Sequence, residues 1–311
     1  MKETLGEHKF QKYVDGKQVV WDASSISTIQ SCPQLYRYKL EGWRSKVESI
    51  DPVWGSAVHR GMEILDTHRF RDNPKDEAVH AATSTVLAEF PVLGSSTDTK
   101  KNMETAIRAI VWRAEEFYNT DLMKVAALPN GEPALEVRFE CPFPDTDYRV
   151  SGKVDKVAWW ENDLYIIDTK TTKSSLSDYY FNFFAPNTQV YTYLWAIRDV
   201  LEMPVKGFII DAISTGVNYT RFGRAPFTVS PSQVDEWLTD TTMTLKQVEK
   251  YYELGHWPHN FSACGNYGGC AFRDTCRNSQ EHRPAFLEAD FELNPYKGTP
   301  FHEHESAETA S

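Results

Sequence analysis

The sequence predicts an α/β fold, a mixed central sheet flanked by helices, and three observations carry that prediction. Residues from about 24 to 127 place apolar side chains at helical spacing, while residues from about 134 to 230 alternate or run apolar as strands do. Within the second stretch, Arg149–Trp160 and Leu164–Lys170 read as two strands joined by the turn-forming Glu161-Asn162-Asp163. With 311 residues, 41% of them hydrophobic and 13% aromatic, the chain can bury a sizeable core, and its 25% charged fraction is ordinary for a globular protein.

Taken in order, residues 1–22 form a lead-in, residues 23–283 one core with helical additions, and residues 284–311 an acidic, loosely ordered tail with six acids and one lysine. The helical region is broken by polar turns near Asn73-Pro74 and Gly94-Ser95-Ser96. It contains Trp54-Gly55-Ser56-Ala57-Val58-His59 through Leu65, which sets His59 and Glu63 one turn apart on a common face. By itself a helical histidine is more often a surface or core residue than a ligand, and Glu63 either orients His59 or forms an ordinary surface pair. The strand Ala134–Glu140 alternates and carries Glu136, whose register the sequence leaves open. An apolar strand follows at Gly207–Ile213, and a helix from about Ser232 to Leu254 leads into a cysteine loop. No internal repeat is evident.

The hairpin carries the most chemistry. If it is symmetric about the Glu161–Asn162 bond, Asp155 lies directly across from Asp168, and Lys170 falls on the same face two residues on. Cross-strand neighbours sit about 5 Å apart, where two carboxylates repel unless a positive charge lies between them. A divalent cation supplies that charge. The alternative is a bulged or shifted strand with both acids in water, but the apolar run Leu164–Ile167 and the returning lysine favour the cation.

Five cysteines form a separate group. Cys264, Cys270 and Cys276 follow one another with five residues between each pair, in a loop rich in Gly and Asn, and Cys32 stands near the N-terminus before Pro33. Four thiolates can hold zinc or an iron–sulfur cluster, and ligand count does not choose between them. Cys141, before Pro142 at a strand end, reads as a lone thiol. Disulfide pairing would need an oxidising compartment, yet Met1–Lys9 does not resemble a signal peptide and no apolar run is long enough to span a membrane. A reduced cytoplasm is the setting expected, in a bacterial, archaeal or phage-infected cell, and there clustered cysteines bind metals.

Gly152-Lys153-Val154-Asp155 with Asp168-Thr169-Lys170 resembles the paired motifs of the PD-(D/E)xK nuclease superfamily, in particular its RecB/AddB-like branch, which includes the iron–sulfur nucleases of CRISPR adaptation and related phage exonucleases. The resemblance extends upstream to the Gly55-x-x-x-His59 helix and downstream to Gln189-x-x-x-Tyr193. It implies a restriction-endonuclease-like fold whose N- and C-terminal segments join at a metal cluster. It also implies that His59, Asp155 and Asp168, with Glu136 as a further acidic candidate, hold Mg²⁺ or Mn²⁺, which polarises a scissile phosphate and activates water. Lys170 would orient the nucleophile and stabilise transition-state charge, and Gln189 and Tyr193 would position a DNA strand. Iron–sulfur members place one cysteine before the nuclease core and three after it, so Cys32 with Cys264, Cys270 and Cys276 is expected to hold a [4Fe–4S] cluster, zinc being the competitor. The first C-terminal gap departs from the Cys-x-x-Cys frequent in the family, since five residues separate Cys264 from Cys270.

A net charge of −11 opposes a simple nucleic-acid surface, although the tail contributes −5 of it. Phosphate contacts would then come from local groups: Arg37, Lys39 and Arg44 near Cys32, Lys170 and Lys173 after the hairpin, Arg221 and Arg224 in a turn. The ring-rich run Tyr179, Tyr180, Phe181, Phe183, Phe184 offers faces for unpaired bases. The expectation is a Mg²⁺- or Mn²⁺-dependent deoxyribonuclease, an exonuclease hydrolysing phosphodiester bonds at DNA ends or in single strands. A recombination, helicase or CRISPR-adaptation partner would recruit it. The rival readings are a non-catalytic DNA-binding or recombination scaffold with a nuclease fold, and a zinc-stabilised nuclease.

Overall fold

The computed structural model describes residues 13–14, 17–46 and 49–294. The chain divides into two compact units, each built from separate stretches: Ser49–Arg138 with Lys153–Val234, and Met1–Glu48 with Phe139–Gly152 and Asp235–Ser311.

The larger unit opens with three long helices, α1 (Ile50–Phe70), α2 (Lys75–Leu87) and α3 (Met103–Phe117), with a single short turn of helix, Phe90–Leu93, before the third. Ser49 caps α1 by accepting the Asp51 N–H, with Asp51 in the first turn and His68 and Arg69 in the last, charges that suit the helix dipole. Asn102 and Thr105 form a capping box on α3 and also receive the Trp54 indole N–H, at 3.1 Å to the Asn102 carbonyl and 3.0 Å to Thr105 Oγ1. One turn of α1 is thereby tied to the start of α3. Trp54, Val58, Met62, Ala82, Val86, Ala106 and Ile110 bury the faces these helices share, and Ile213 of the sheet packs into the same core.

The strands follow as β1 (Lys124–Val125), β2 (Leu135–Pro142), β3 (Arg149–Trp160) and β4 (Asp163–Thr172). After the short helices α4 (Asp178–Asn182) and α5 (Thr188–Leu194) come β5 (Val205–Thr215) and β6 (Thr220–Phe227). They belong to one mixed seven-stranded sheet, ordered β6-β5-β4-β3, in which β1 and β2 also pair with β3. β4 and β5 run parallel, so the chain between them crosses back through α4 and α5, as parallel neighbours require. The hairpin is tight. Trp160 pairs with Asp163 across Glu161-Asn162, and the ladder continues through Lys156 and Ile167. Glu161 takes the turn with φ +56°, in the left-handed region.

Gly207 lies where β5 meets both neighbours, and a Cβ there would collide with the Phe227 carbonyl oxygen of β6. Backbone cannot step aside as a side chain can. Gly207→Ala is therefore expected to destabilise the protein by about 1–3 kcal/mol, read as a lower urea midpoint with an unchanged slope.

In the smaller unit, helices Ala23–Ser31 and Pro33–Glu41 flank Cys32, and strand Val20–Trp21 runs parallel to the first residues of β3 at Arg149 and Val150. The helix expected from Ser232 spans Pro231–Leu254. The tail expected from residue 284 requires correction at its start. Helix Arg283–Asp290 and strand Phe291–Leu293 are formed, and the strand pairs antiparallel with Trp43–Ser45. Leu287 and Phe291 explain why. They bury against Tyr38 and Phe272, with the Phe272 and Phe291 rings stacked at 4.2 Å, while the acids that gave the segment its polar composition stay exposed. Residues 295–311 lie outside the described ones, as do most of the lead-in residues. Among the described residues no helix is long and apolar enough to cross a membrane.

Candidate active site

Two strands and two helices of the larger unit bring the expected residues together. The register that pairs Lys156 with Ile167 sets Asp155 and Asp168 at the next positions, beyond the last ladder pair. There Asp155 Oδ2 accepts the Thr169 backbone N–H at 2.7 Å, so a carboxylate takes the place of the next strand hydrogen bond. Helix α1 reaches this point because Gly55 has no side chain: a Cβ would stand 3.3 Å from Thr171 Oγ1 of β4. One turn later His59 Nδ1 lies 3.5 Å from Asp155 Oδ2.

Asp168 is buried, with 2% of its surface exposed. Burial pushes its carboxyl up, Lys170 pulls it back and Asp155 pushes it up again, leaving a pKa of about 6. Lys170 Nζ stands 2.6 Å from Asp168 Oδ2 and so compensates this buried carboxylate. The ammonium also donates to Gln189 Oε1 at 2.8 Å, and Gln189 Nε2 donates to the Tyr193 hydroxyl at 3.2 Å. Asn187 starts α5 by accepting the Gln189 N–H and so fixes where that amide points. Tyr193 is buried, with its ring near Phe208.

His59 has a lowered pKa. Burial is the largest cause, opposed by Asp155 and reinforced by Lys170, which keeps the imidazole neutral and able to donate a lone pair. Glu136 joins the same region from β2, paired with Lys153, and its charge is felt by both His59 and Glu63. Its backbone is left-handed, φ +50°, an uncommon conformation for a non-glycine residue inside a strand. Glu63 has a raised pKa, from burial first and Glu136 second. Lys153, paired with Glu136, was not read from the sequence as part of this region, although the strand pattern could have pointed to it.

Two carboxylates and an imidazole offer hard oxygen and nitrogen donors, so the set fits Mg²⁺ or Mn²⁺ by donor type. As the side chains stand, no three His, Cys, Asp or Glu among the described residues converge tightly enough to hold an ion; Lys170 pairs with Asp168 and Lys153 with Glu136.

The proposed phosphate contacts divide. Arg224 belongs to a buried network, donating to both Asp121 oxygens at 2.7 and 2.6 Å and to Asp211 at 3.3 Å, so it is not a surface cation. Lys173 is engaged by Asp98 at 2.7 Å and Asp51 at 3.0 Å. Arg221 lies over the Tyr219 ring and Arg37 pairs with Glu41.

In the smaller unit, Cys32 ends one helix and begins the next in extended conformation, and its Sγ receives the Asn260 N–H at 3.4 Å. Cys264 sits in the helical turn Phe261–Gly268, the Cys270 N–H donates to the Cys264 carbonyl at 3.0 Å, and Cys276 lies on helix Arg273–Arg277. Burial raises the Cys270 thiol, and its neighbours Cys264 and Cys32 add to the rise. Burial pushes Cys276 up to about 11, with Cys270, Cys32 and Cys264 contributing. Four thiols thus stand in one another's field, beside the Tyr38–Phe272 core. Cys141 is apart from them, buried, with its thiol 3.7 Å from the Val150 carbonyl.

A mixed α/β sheet that carries two acids, a lysine and a helical histidine at one end of adjoining strands defines a protein of the nuclease type. The sequence model of the PD-(D/E)XK nuclease superfamily matches residues 21–277, and the chain belongs to that superfamily. Its members generally use divalent metal ions such as Mg²⁺. A crystal structure from Eubacterium rectale, of a protein provisionally named an exonuclease, shares the fold with a TM-score of 0.51 at 13% identity, covering 79% of this chain and 86% of that one. A second solved structure, designated SSO0001, is 14% identical over 73% of this chain and 77% of that one, with a TM-score of 0.32, too low to bear on the fold. No curated protein matches the chain.

Proposed function

We propose that this protein is a metal-dependent DNA exonuclease of the RecB/AddB-like branch, acting on DNA ends or single strands, with a structural [4Fe–4S] cluster. The observation that carries the reading is the convergence of Asp155, Asp168, Lys170 and His59 at the end of one hairpin. His59, Asp155 and Asp168 would hold a divalent ion, with Glu136 a further acidic candidate, and the ion would supply Lewis acidity and a more acidic water. The chain's own groups do the rest. Lys170, freed from Asp168, holds positive charge where the phosphate gains negative charge, and Gln189 fixes the ammonium's direction. Tyr193 in turn orients the Gln189 amide. The exonuclease name borne by the Eubacterium rectale protein agrees with this reading.

The test is release of nucleotides from end-labelled single- and double-stranded DNA with Mg²⁺ or Mn²⁺. Metal-dependent release from an end supports the proposal and gives the polarity. No cleavage of either substrate by metal-loaded protein would favour a DNA-binding scaffold.

For the second centre, the donor set of Cys32, Cys264, Cys270 and Cys276 fits a cluster, since a bound cation offsets both the burial and the neighbouring thiolates that raise the Cys270 and Cys276 thiols. Protein purified without oxygen is expected to carry about four iron and four sulfide per chain, and Cys276→Ala to lose them. Stoichiometric zinc without sulfide would overturn the assignment in favour of a zinc site.

A further inference from the structure

The chain that joins the two site-bearing elements β4 and α5 is the ring-rich run Asp178-Tyr179-Tyr180-Phe181-Asn182-Phe183-Phe184, which holds five aromatic side chains and no aliphatic one. Three of them dock the segment. Phe181 and Leu176 approach Gly223 of β6, where a Cβ would meet them at 3.3 and 3.0 Å. The Tyr180 ring packs edge-on against Phe181 and Phe184 at 5.2 and 5.3 Å. The segment follows β4, which carries Asp168 and Lys170, and leads into α5, which carries Gln189 and Tyr193, so both of its ends are tied to elements of the candidate active site.

The other two rings reach solvent. Tyr179 is 88% exposed, and Phe183, edge-on to Phe184 at 6.1 Å, is 51% exposed. They are four positions apart on a helical backbone and therefore share a face. Exposing two rings to water is unfavourable unless a ligand covers them, and the ligand expected beside a phosphodiester-cleaving centre brings flat faces of its own. In a duplex those faces are already stacked on their neighbours; in an unpaired strand they are available. We propose that Tyr179 and Phe183 form a base-stacking platform that selects single-stranded DNA for the candidate active site. This rests on the nuclease reading and adds the substrate class to it.

The test is binding of a labelled single strand, the matching duplex and a single strand of abasic nucleotides, measured by fluorescence anisotropy with Mg²⁺ on full-length protein carrying Lys170→Ala to prevent cleavage. The base-bearing strand should bind about 5- to 100-fold more tightly than the abasic one, the range that one stacked base spans. Adding Tyr179→Ala or Phe183→Ala should remove most of that preference without altering duplex binding, and Tyr179→Trp should keep it. Equal binding of base-bearing and abasic strands by the unsubstituted platform would overturn the proposal, and that comparison needs no ring variant to fold. Alanine variants that bind the single strand unchanged while altering self-association would overturn it too, and would assign the rings to a second copy. The two readings fail separately: cleavage without base preference sinks the platform alone, and base preference without wild-type cleavage sinks the nuclease alone.

Discussion

Lys170→Ala is expected to lower the rate of DNA cleavage by about a hundred- to a thousandfold while leaving the fold and DNA binding in place. The lysine sits 2.6 Å from Asp168 and donates to Gln189, so it is the cation closest to the acidic pair and is aimed by an amide anchored at its own helix start. Its removal costs little stability. Asp168, already raised to about 6, takes up a proton more readily once the ammonium is gone, and no buried charge is left unpaired. Lys170→Arg should rescue little activity, because a planar guanidinium spreads the charge and cannot occupy the same point between a carboxylate and an amide. Initial rates at saturating metal, with circular dichroism as the folding control, decide the matter. A variant that cleaves at the wild-type rate would move catalysis away from the hairpin.

Asp211→Asn is expected to be the most destabilising polar substitution in the larger unit, costing about 3–5 kcal/mol at neutral pH. Asp211 receives Arg113 at 3.1 and 2.5 Å and Arg224 at 3.3 Å, and Lys156 stands 3.9 Å away, paired with Asp66 at 2.6 Å. Arg113, Lys156 and Asp211 are all buried. An amide would leave two guanidinium groups and an ammonium sharing too little negative charge, inside the sheet on which Asp155 and Asp168 stand. The pH dependence has a definite sign. Burial pushes the Asp211 carboxyl up, but Arg113, Arg224 and Lys156 outweigh it and hold the pKa well below the usual range. The unfolded chain therefore takes up the proton first as pH falls. The stabilisation is full above the ordinary aspartate pKa of about 4 and is lost progressively below it. Urea unfolding at pH 7 and at about pH 2 should show the wild-type chain losing more stability than Asp211→Asn between the two.

The hairpin was legible in the sequence because its register follows from one turn and a period of two, and both are local. The same holds for His59, placed by Gly55 and helical spacing, and for Gln189 and Tyr193 on one helix face. What stayed hidden depends on distant partners. Arg224 looked like a surface cation, yet its carboxylates Asp121 and Asp211 come from other elements, 103 and 13 positions away. Glu136 gave an alternating strand pattern that says nothing of a left-handed backbone. Strands of two residues, Val20–Trp21 and Lys124–Val125, are too short to show any period and fell inside stretches read as lead-in and helix. The division into two units was unreadable because each is assembled from stretches far apart in the chain. The acidic composition after residue 284 masked two apolar anchors, Leu287 and Phe291.

The contact between Cys32 and Asn260 spans 228 positions, so a ribosome releases the first thiol long before the residues that will meet it exist. All of Ser49–Arg138 and Lys153–Val234 is synthesised in that interval, and its local helices and hairpin can form first. Closing so long a loop is entropically unfavourable, but the penalty grows only with the logarithm of its length, and prior folding of the intervening chain reduces it further. Maturation therefore has an order written into its topology. Cys32 emerges as a thiol well before the last quarter of the chain arrives, which makes late synthesis the step at which the smaller unit is completed.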